Sequence, residues 1–178
     1  MNDHPIFLSN EKVSLREFTS IDWEAVHAYA SLEEACRYQP WGPNTMEDSK
    51  VFVEQVLQAA CQQPRKRYAL AIEVNGSIIG AGEISVEDFQ HQVGELAYIV
   101  HPAYWGQGIA TEVARLLIEF GFRELGLHRI QATCDQRNIG SAKVLEKVGM
   151  TKEGRLREHL LIKDGWRDSY LYSILESD

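Results

Sequence analysis

Two periods alternate along this chain. Val13 to Phe18 steps between apolar and polar residues with the two-residue period of a strand, and Thr19-Ser20-Ile21-Asp22 then reads as a helix entry. Residues 23–32 and 46–61 suit helices, while Pro40-Trp41-Gly42-Pro43-Asn44 between them forces a loop that carries an aromatic. Tyr68 to Val74 and Ser77 to Ile84 are β-rich runs joined by Asn75-Gly76, a dipeptide that tolerates the two positive φ angles of a type I′ hairpin turn. Val93 to Val100 predicts another strand, stopped by His101-Pro102 and followed by the glycine-rich turn Trp105-Gly106-Gln107-Gly108. From Ile109 to Leu125 the apolar residues Ile109, Val113, Leu117 and Phe120 recur at helical spacing, and Gly126 can close the helix in the left-handed region. A second βα unit follows: strand His128 to Cys134, Asn138 as N-cap, helix Ile139 to Val148, stop at Gly149. Leu156 to Ile162 and Ser169 to Leu175, flanking Lys163-Asp164-Gly165-Trp166, predict a terminal hairpin.

A strand, helices, an antiparallel hairpin, two βα units and a last hairpin predict an α/β fold with a mixed sheet of about seven strands and helices on both faces, not a doubly wound Rossmann domain. At 178 residues the chain suits one domain, residues 1–178, with one well-buried core. A hydrophobic fraction of 44% is ordinary for a soluble protein, no apolar run approaches a bilayer span, and the first residues lack the basic and apolar regions of a secretory signal. The expectation is a cytoplasmic protein with no membrane partner. Three scattered cysteines, Cys36, Cys61 and Cys134, form neither a disulfide framework nor a CxxC pair, and no histidine pair has metal-ligand spacing, so no metal is expected. A net charge of -8 repels nucleic-acid backbones and leans toward a cationic partner, although Arg65-Lys66-Arg67 offers a local basic patch for a phosphate.

The sharpest chemical signal is Trp105-Gly106-Gln107-Gly108-Ile109-Ala110-Thr111, set between a strand and a helix. Such a turn presents unpaired backbone N–H groups at the positive end of a helix, and glycines 106 and 108 let a pyrophosphate approach without a Cβ in the way. The Rossmann GxGxxG fails because Thr111 takes the third glycine's place, and the P-loop fails for want of Gly-Lys-Ser/Thr. Taken alone, a two-glycine turn is more often only a turn.

The segment from Glu95 through Met150 resembles the acetyl-CoA core of the GNAT superfamily, whose pyrophosphate loop reads Gln/Arg-x-x-Gly-x-Gly/Ala. Gly108 and Ala110 match it; Trp105 departs at the first position. The wording Tyr-Trp-Gly-Gln-Gly-Ile-Ala-Thr-Glu is similar to the branch containing ribosomal-protein N-terminal acetyltransferases (RimJ/RimL type). So is Asn138-Ile139-Gly140-Ser141 through Glu146-Lys147-Val148-Gly149-Met150, as are Leu15-Arg16 with Thr19 and Asp22, the Pro-Trp-Gly-Pro loop, and Gly165-Trp166-Arg167-Asp168. The resemblance implies a mostly antiparallel sheet with a splayed central strand pair and acetyl-CoA as co-substrate. Backbone groups of Tyr98, Ile99 and Val100 would meet the thioester and pantetheine, residues Trp105 to Thr111 the pyrophosphate, and Asn138 and Ser141 the cofactor, Asn138 against its plain reading as a helix N-cap alone.

For catalysis the resemblance implies two candidates. Glu95 occupies the strand position where histone-type members carry their general base; alternation puts it on one face with Ala97 and Ile99, toward a substrate cleft or a solvated edge. Thr133 stands where many relatives carry another glutamate, and Leu145 where the familiar acid is a tyrosine, which leaves Ser141 as the candidate acid against its plain reading as a first-turn helix serine. Trp41 and Trp166 either wall an acceptor site or cover a core edge; Lys143 and Lys147 either meet coenzyme phosphates or form a solvated helix face. The expected activity is direct acetyl transfer to a primary amine, by a monomer or homodimer. A protein N-terminal α-amine is preferred over a small-molecule amine such as a polyamine, and over a silent acyl-CoA-binding module.

Overall fold

The computed structural model describes residues 5–178. Its strands form one sheet in the order β1-β2-β3-β4-β5-β6-β8-β7. These are β1 (Phe7–Ser9), β2 (Ser14–Glu17), β3 (Arg67–Val74), β4 (Ser77–Asp88), β5 (Val93–Val100), β6 (Arg129–Asp135), β7 (Thr151–Ile162) and β8 (Gly165–Leu175). Every neighbouring pair is antiparallel except β5 and β6. Among the described residues the count is eight rather than about seven because β1, three residues paired with β2, is too short to show a period.

The described residues form five α-helices, α1 (Trp23–Ala30), α2 (Glu33–Cys36), α3 (Met46–Ala60), α4 (Ile109–Arg123) and α5 (Ile139–Lys147); α1, α3, α4 and α5 pack on the sheet and α2 packs on α1. Strand alternation divides the core. On one face Ala69, Ala71 and Ala81 are small and let Val26, Tyr29, Val53 and Val56 of α1 and α3 pack down. On the other, Leu70, Ile72, Ile84 and Leu96 meet Val113, Leu117 and Phe120 of α4 and Leu145 of α5. Gly82 permits the close seating of α4, since a Cβ there would stand 2.8 Å from Val113 and 3.0 Å from Leu117. The hairpin at 75–76 turns as its sequence requires, with φ of 51° at Asn75 and 77° at Gly76. Among the described residues no helix is long and apolar enough to cross a membrane.

Candidate active site

The parallel strands β5 and β6 pair only at Val93↔Arg129, Gly94↔Ile130 and Glu95↔Gln131, and beyond Glu95 they part. The phase of β5 is set by His101, whose N–H donates to the Ile79 carbonyl at 2.7 Å. Antiparallel alternation then aims the backbone groups of Ala97 and Ile99 at β4, and those of Tyr98 and Val100 into the opening. The N-termini of α4 and α5 both face this wedge, which holds a cleft of about 600 Å³ lined by Tyr98, Ile99, Val100, Trp105, Gly106, Gly108, Ile109, Ala110, Thr111, Asn138 and Ser141. All of these were expected cofactor residues. Gln107 is absent from the lining; its side-chain amide turns back to the Ala103 carbonyl at 3.3 Å.

The turn before α4 is held by its own side chains. The Trp105 indole donates to the Val100 carbonyl at 2.7 Å, and the His101 ring accepts from the Ala103 N–H at 3.1 Å. Gly106 and Gly108 have φ of 76° and 79°, and a Cβ at either would meet no protein atom within 4 Å. Their left-handed backbone, rather than crowding of a Cβ against other protein atoms, selects glycine here. Among the described residues the N–H groups of Gly106, Gln107, Gly108, Ile109 and Ala110 have no hydrogen-bond acceptor. Five successive open amides at the N-terminus of a 15-residue helix fit a pyrophosphate. Lys143 and Lys147 also line the cleft.

Across the wedge, Asn138 caps α5: its Oδ1 accepts from the Ser141 N–H at 3.0 Å, leaving its NH2 without a partner among the described residues. The Tyr98 hydroxyl reaches over from β5 to lie 3.0 Å from Ser141 Oγ. Burial pushes the Tyr98 phenol well above its ordinary value, so it stays protonated. Leu145 is 1% exposed in the core, which removes that helix position from the chemistry. Cys134 is buried too, and burial raises its thiol to about 11, the wrong direction for a nucleophile.

A second cleft, about 340 Å³, opens on the other face of the sheet under α1 and α3, and shares Gln39, Tyr98 and Ile99 with the first. Its walls include Tyr29, Trp41, Asn44, Phe52, Gln55, Ala97 and Glu83. The Glu83 carboxylate accepts from Arg67 at 2.9 and 2.8 Å. Arg65 is likewise bound to Glu17, so two of the three cations of the 65–67 patch are already paired. Glu95 shares the sheet face of Ala97 and Ile99 but lies outside both linings, half-buried and 3.5 Å from the Gln131 amide. Burial raises its pKa; the Gln131 bond opposes the shift, while Glu87 and Glu83 reinforce it. Trp41 lines the second cleft, whereas Trp166 lines neither and is 64% exposed.

Sequence reasoning missed Gln39 and Glu83, and read Arg67 as part of a phosphate-binding patch rather than as the partner of Glu83. Glu83 left one trace, a carboxylate inside the apolar run Ile78 to Ile84. The loop bearing Gln39 is fastened from outside: the buried Arg167 guanidinium donates to the Tyr38 carbonyl at 2.7 Å, and Arg137 stacks on the Tyr38 ring. Among the described residues no group of three His, Cys, Asp or Glu is placed to hold a metal.

Residues 12–151 match the family model described as an acetyltransferase (GNAT) domain. The chain is 32% identical over 171 residues to an uncharacterized N-acetyltransferase of Bacillus subtilis, covering 96% of this chain and 98% of that one. It is 25% identical over 168 residues to the spermidine N(1)-acetyltransferase of Escherichia coli, covering 94% and 88%. Among solved structures it is similar to the ribosomal-protein-S5-alanine acetyltransferase of Vibrio fischeri, with a TM-score of 0.79, 27% identity, and coverage of 97% and 98%. The cleft between splayed strands and the amide-rich turn thus sit in a sequence matched along nearly its whole length, and the chain belongs to the GNAT family as an acetyl-CoA-dependent N-acetyltransferase.

Proposed function

We propose that this enzyme acetylates the α-amine of a peptide N-terminus, with acetyl-CoA in the larger cleft and the peptide in the smaller one. The observation that carries the acceptor class is the charge of the smaller cleft. Its one carboxylate among the described lining residues, Glu83, is neutralised by Arg67, so the cleft offers a polycation no net attraction. The side-chain amides of Gln39, Asn44 and Gln55 complement a peptide backbone, and Tyr29, Trp41 and Phe52 give an apolar wall for a first side chain.

The two clefts meet at Tyr98 and Ile99, where the amine nitrogen attacks the thioester carbon. Charge developing on the carbonyl oxygen is met by the amides that β5 turns into the wedge. The carbon–sulfur bond breaks, the thiolate leaves with its electron pair and takes its proton from solvent, and the Ser141 hydroxyl donates a hydrogen bond to it while keeping its own proton. The proton released by the nitrogen passes to Glu95 through water, since Glu95 lies beyond the cleft wall. Its raised pKa makes it the stronger base. Transfer is direct, Cys134 being held as a thiol.

An α-amine suits this equipment. With a pKa of about 7.7 to 8.0, on the order of a fifth of it is neutral near pH 7.3, against roughly one part in a thousand for lysine at about 10.4. The test compares thiol release with three acceptors: a lysine-free peptide with a free N-terminus, an N-terminally blocked peptide with one lysine, and spermidine. The free N-terminus is expected to react fastest. Faster transfer to the blocked peptide or to spermidine overturns the assignment.

A further inference from the structure

We infer that Tyr98 is a positioning residue for the leaving-group step: its phenol fixes the Ser141 hydroxyl so that the serine proton is aimed at the departing sulfur. The inference rests on the reading that Ser141 faces the thiolate. Two side chains make three contacts with the first turn of α5. Asn138 Oδ1 holds the Ser141 N–H at 3.0 Å, the Tyr98 hydroxyl stands 3.0 Å from Ser141 Oγ, and the same hydroxyl is 3.4 Å from the Ser141 carbonyl. The cap fixes the serine backbone, but a serine hydroxyl still rotates about its C–O bond. What Tyr98 adds is a choice of rotamer for that proton.

A phenol is the better donor of the two hydroxyls and an aliphatic hydroxyl the better acceptor, so Tyr98 donates and Ser141 Oγ accepts. With one lone pair occupied from the β5 side, the remaining Ser141 O–H is free to point into the cleft that both residues line. The opposite arrangement would spend the serine proton on the phenol and leave none for sulfur. Tyr98 gives up no proton in the cycle, because a buried tyrosinate is costly and its phenol is held well above its ordinary value. As carbon–sulfur cleavage proceeds, the thiolate carries the electron pair, Ser141 donates a hydrogen bond to it without losing its proton, and the acceptor nitrogen loses its proton to base. Tyr98 also belongs to the walls of both clefts, so its ring marks the boundary across which the acetyl group moves.

The experiment is a double-mutant cycle of Tyr98→Phe and Ser141→Ala, read by thiol release with whichever amine the wild-type enzyme acetylates fastest. The identity of that amine bears on the acceptor reading alone. Tyr98→Phe keeps the ring and removes one hydroxyl, and thermal melts check each variant for folding. The expected loss in kcat is about five- to tenfold for Tyr98→Phe, the scale of one neutral hydrogen bond. Ser141→Ala is expected to lose more, up to about a hundredfold, the lower end for acid-base groups. The double variant should be no slower than Ser141→Ala, and KM for acetyl-CoA should stay within about twofold throughout. Additive losses, or a rise in KM for acetyl-CoA with kcat unchanged, overturn the proposal, since either means that Tyr98 acts by packing or cofactor binding. If Ser141→Ala has wild-type kcat, the reading of Ser141 fails as well.

Discussion

Replacing Gly108 by valine separates the two reasons for a glycine in the turn before α4. A Cβ at 108 would meet nothing within 4 Å, so the cost lies in the backbone, whose φ is 79°. Holding an L-residue in that left-handed region costs about 1–2 kcal/mol, and a branched side chain is among the worst suited to it. For a chain of 178 residues that strain alone lowers Tm by about 2–8 °C. If φ instead relaxes to a negative value, the amides of residues 106–110 turn away from their common focus. Valine is expected to take this second course, lowering acetyl-CoA affinity by about tenfold or more, equivalent to at least about 1.4 kcal/mol. Asparagine enters the left-handed region more readily, so Gly108→Asn should keep most of the affinity. Calorimetric titration with acetyl-CoA, beside a thermal melt, measures both terms. Undiminished affinity in a folded valine variant refutes the loop's role, and equal behaviour of the valine and asparagine variants refutes the backbone argument.

Three further variants have expected outcomes. Glu95→Gln should slow turnover by about tenfold, below the usual 10²–10⁴ range because part of an α-amine is already neutral, and should abolish the acid limb of the kcat profile, which in the wild type lies above the ordinary carboxylate range. The same variant changes the pH dependence of stability. Because burial raises the folded pKa, the native state holds its proton longer than the unfolded chain, so wild-type stability falls as pH climbs from the ordinary glutamate value through the raised one; urea titrations across that window should show the slope in the wild type and not in the variant. Cys134→Ala should keep kcat within about twofold and intact-mass spectra should show no acetyl-enzyme, an acetylated Cys134 being the contrary result. Arg167→Met, which removes the donor to the Tyr38 carbonyl, should cost about 1–3 kcal/mol in denaturant unfolding and raise KM for the acceptor more than for acetyl-CoA; equal rises would mean that the 37–44 loop does not serve the acceptor cleft.

Much of this site is legible wherever its residues are neighbours in sequence. The turn from Trp105 to Ala110 and the cap from Asn138 to Ser141 are local motifs whose backbone geometry follows from glycine and asparagine chemistry, and both lie on the cleft wall. Strand alternation also put Glu95 on the face of Ala97 and Ile99. Apart from the loop residue Trp41, the smaller cleft was not legible, because Tyr29, Phe52, Arg67 and Glu83 come from four elements that only the packing of α1 and α3 on the sheet brings together. Arg167 looked like one residue of a terminal hairpin; its bond to Tyr38 spans 129 positions, beyond any local pattern. The N-terminal half of β7 was missed for a different reason. Thr151 to Arg155 are exposed on both faces of an edge strand, so no hydrophobic alternation marks them, and their pairing with β8 is all that makes them a strand. Helix α2 is four residues long, shorter than one clear helical repeat.

A crystal structure with a bisubstrate conjugate, coenzyme A joined through its sulfur by an acetyl bridge to the α-nitrogen of a short peptide, tests the central claim most directly. The account predicts the pyrophosphate on the amides of Gly106 to Ala110, the bridge at Tyr98 and Ile99, and the peptide running under α1 and α3 between Trp41 and Phe52. A conjugate whose pyrophosphate lies away from that turn, or whose peptide leaves without entering the smaller cleft, contradicts it.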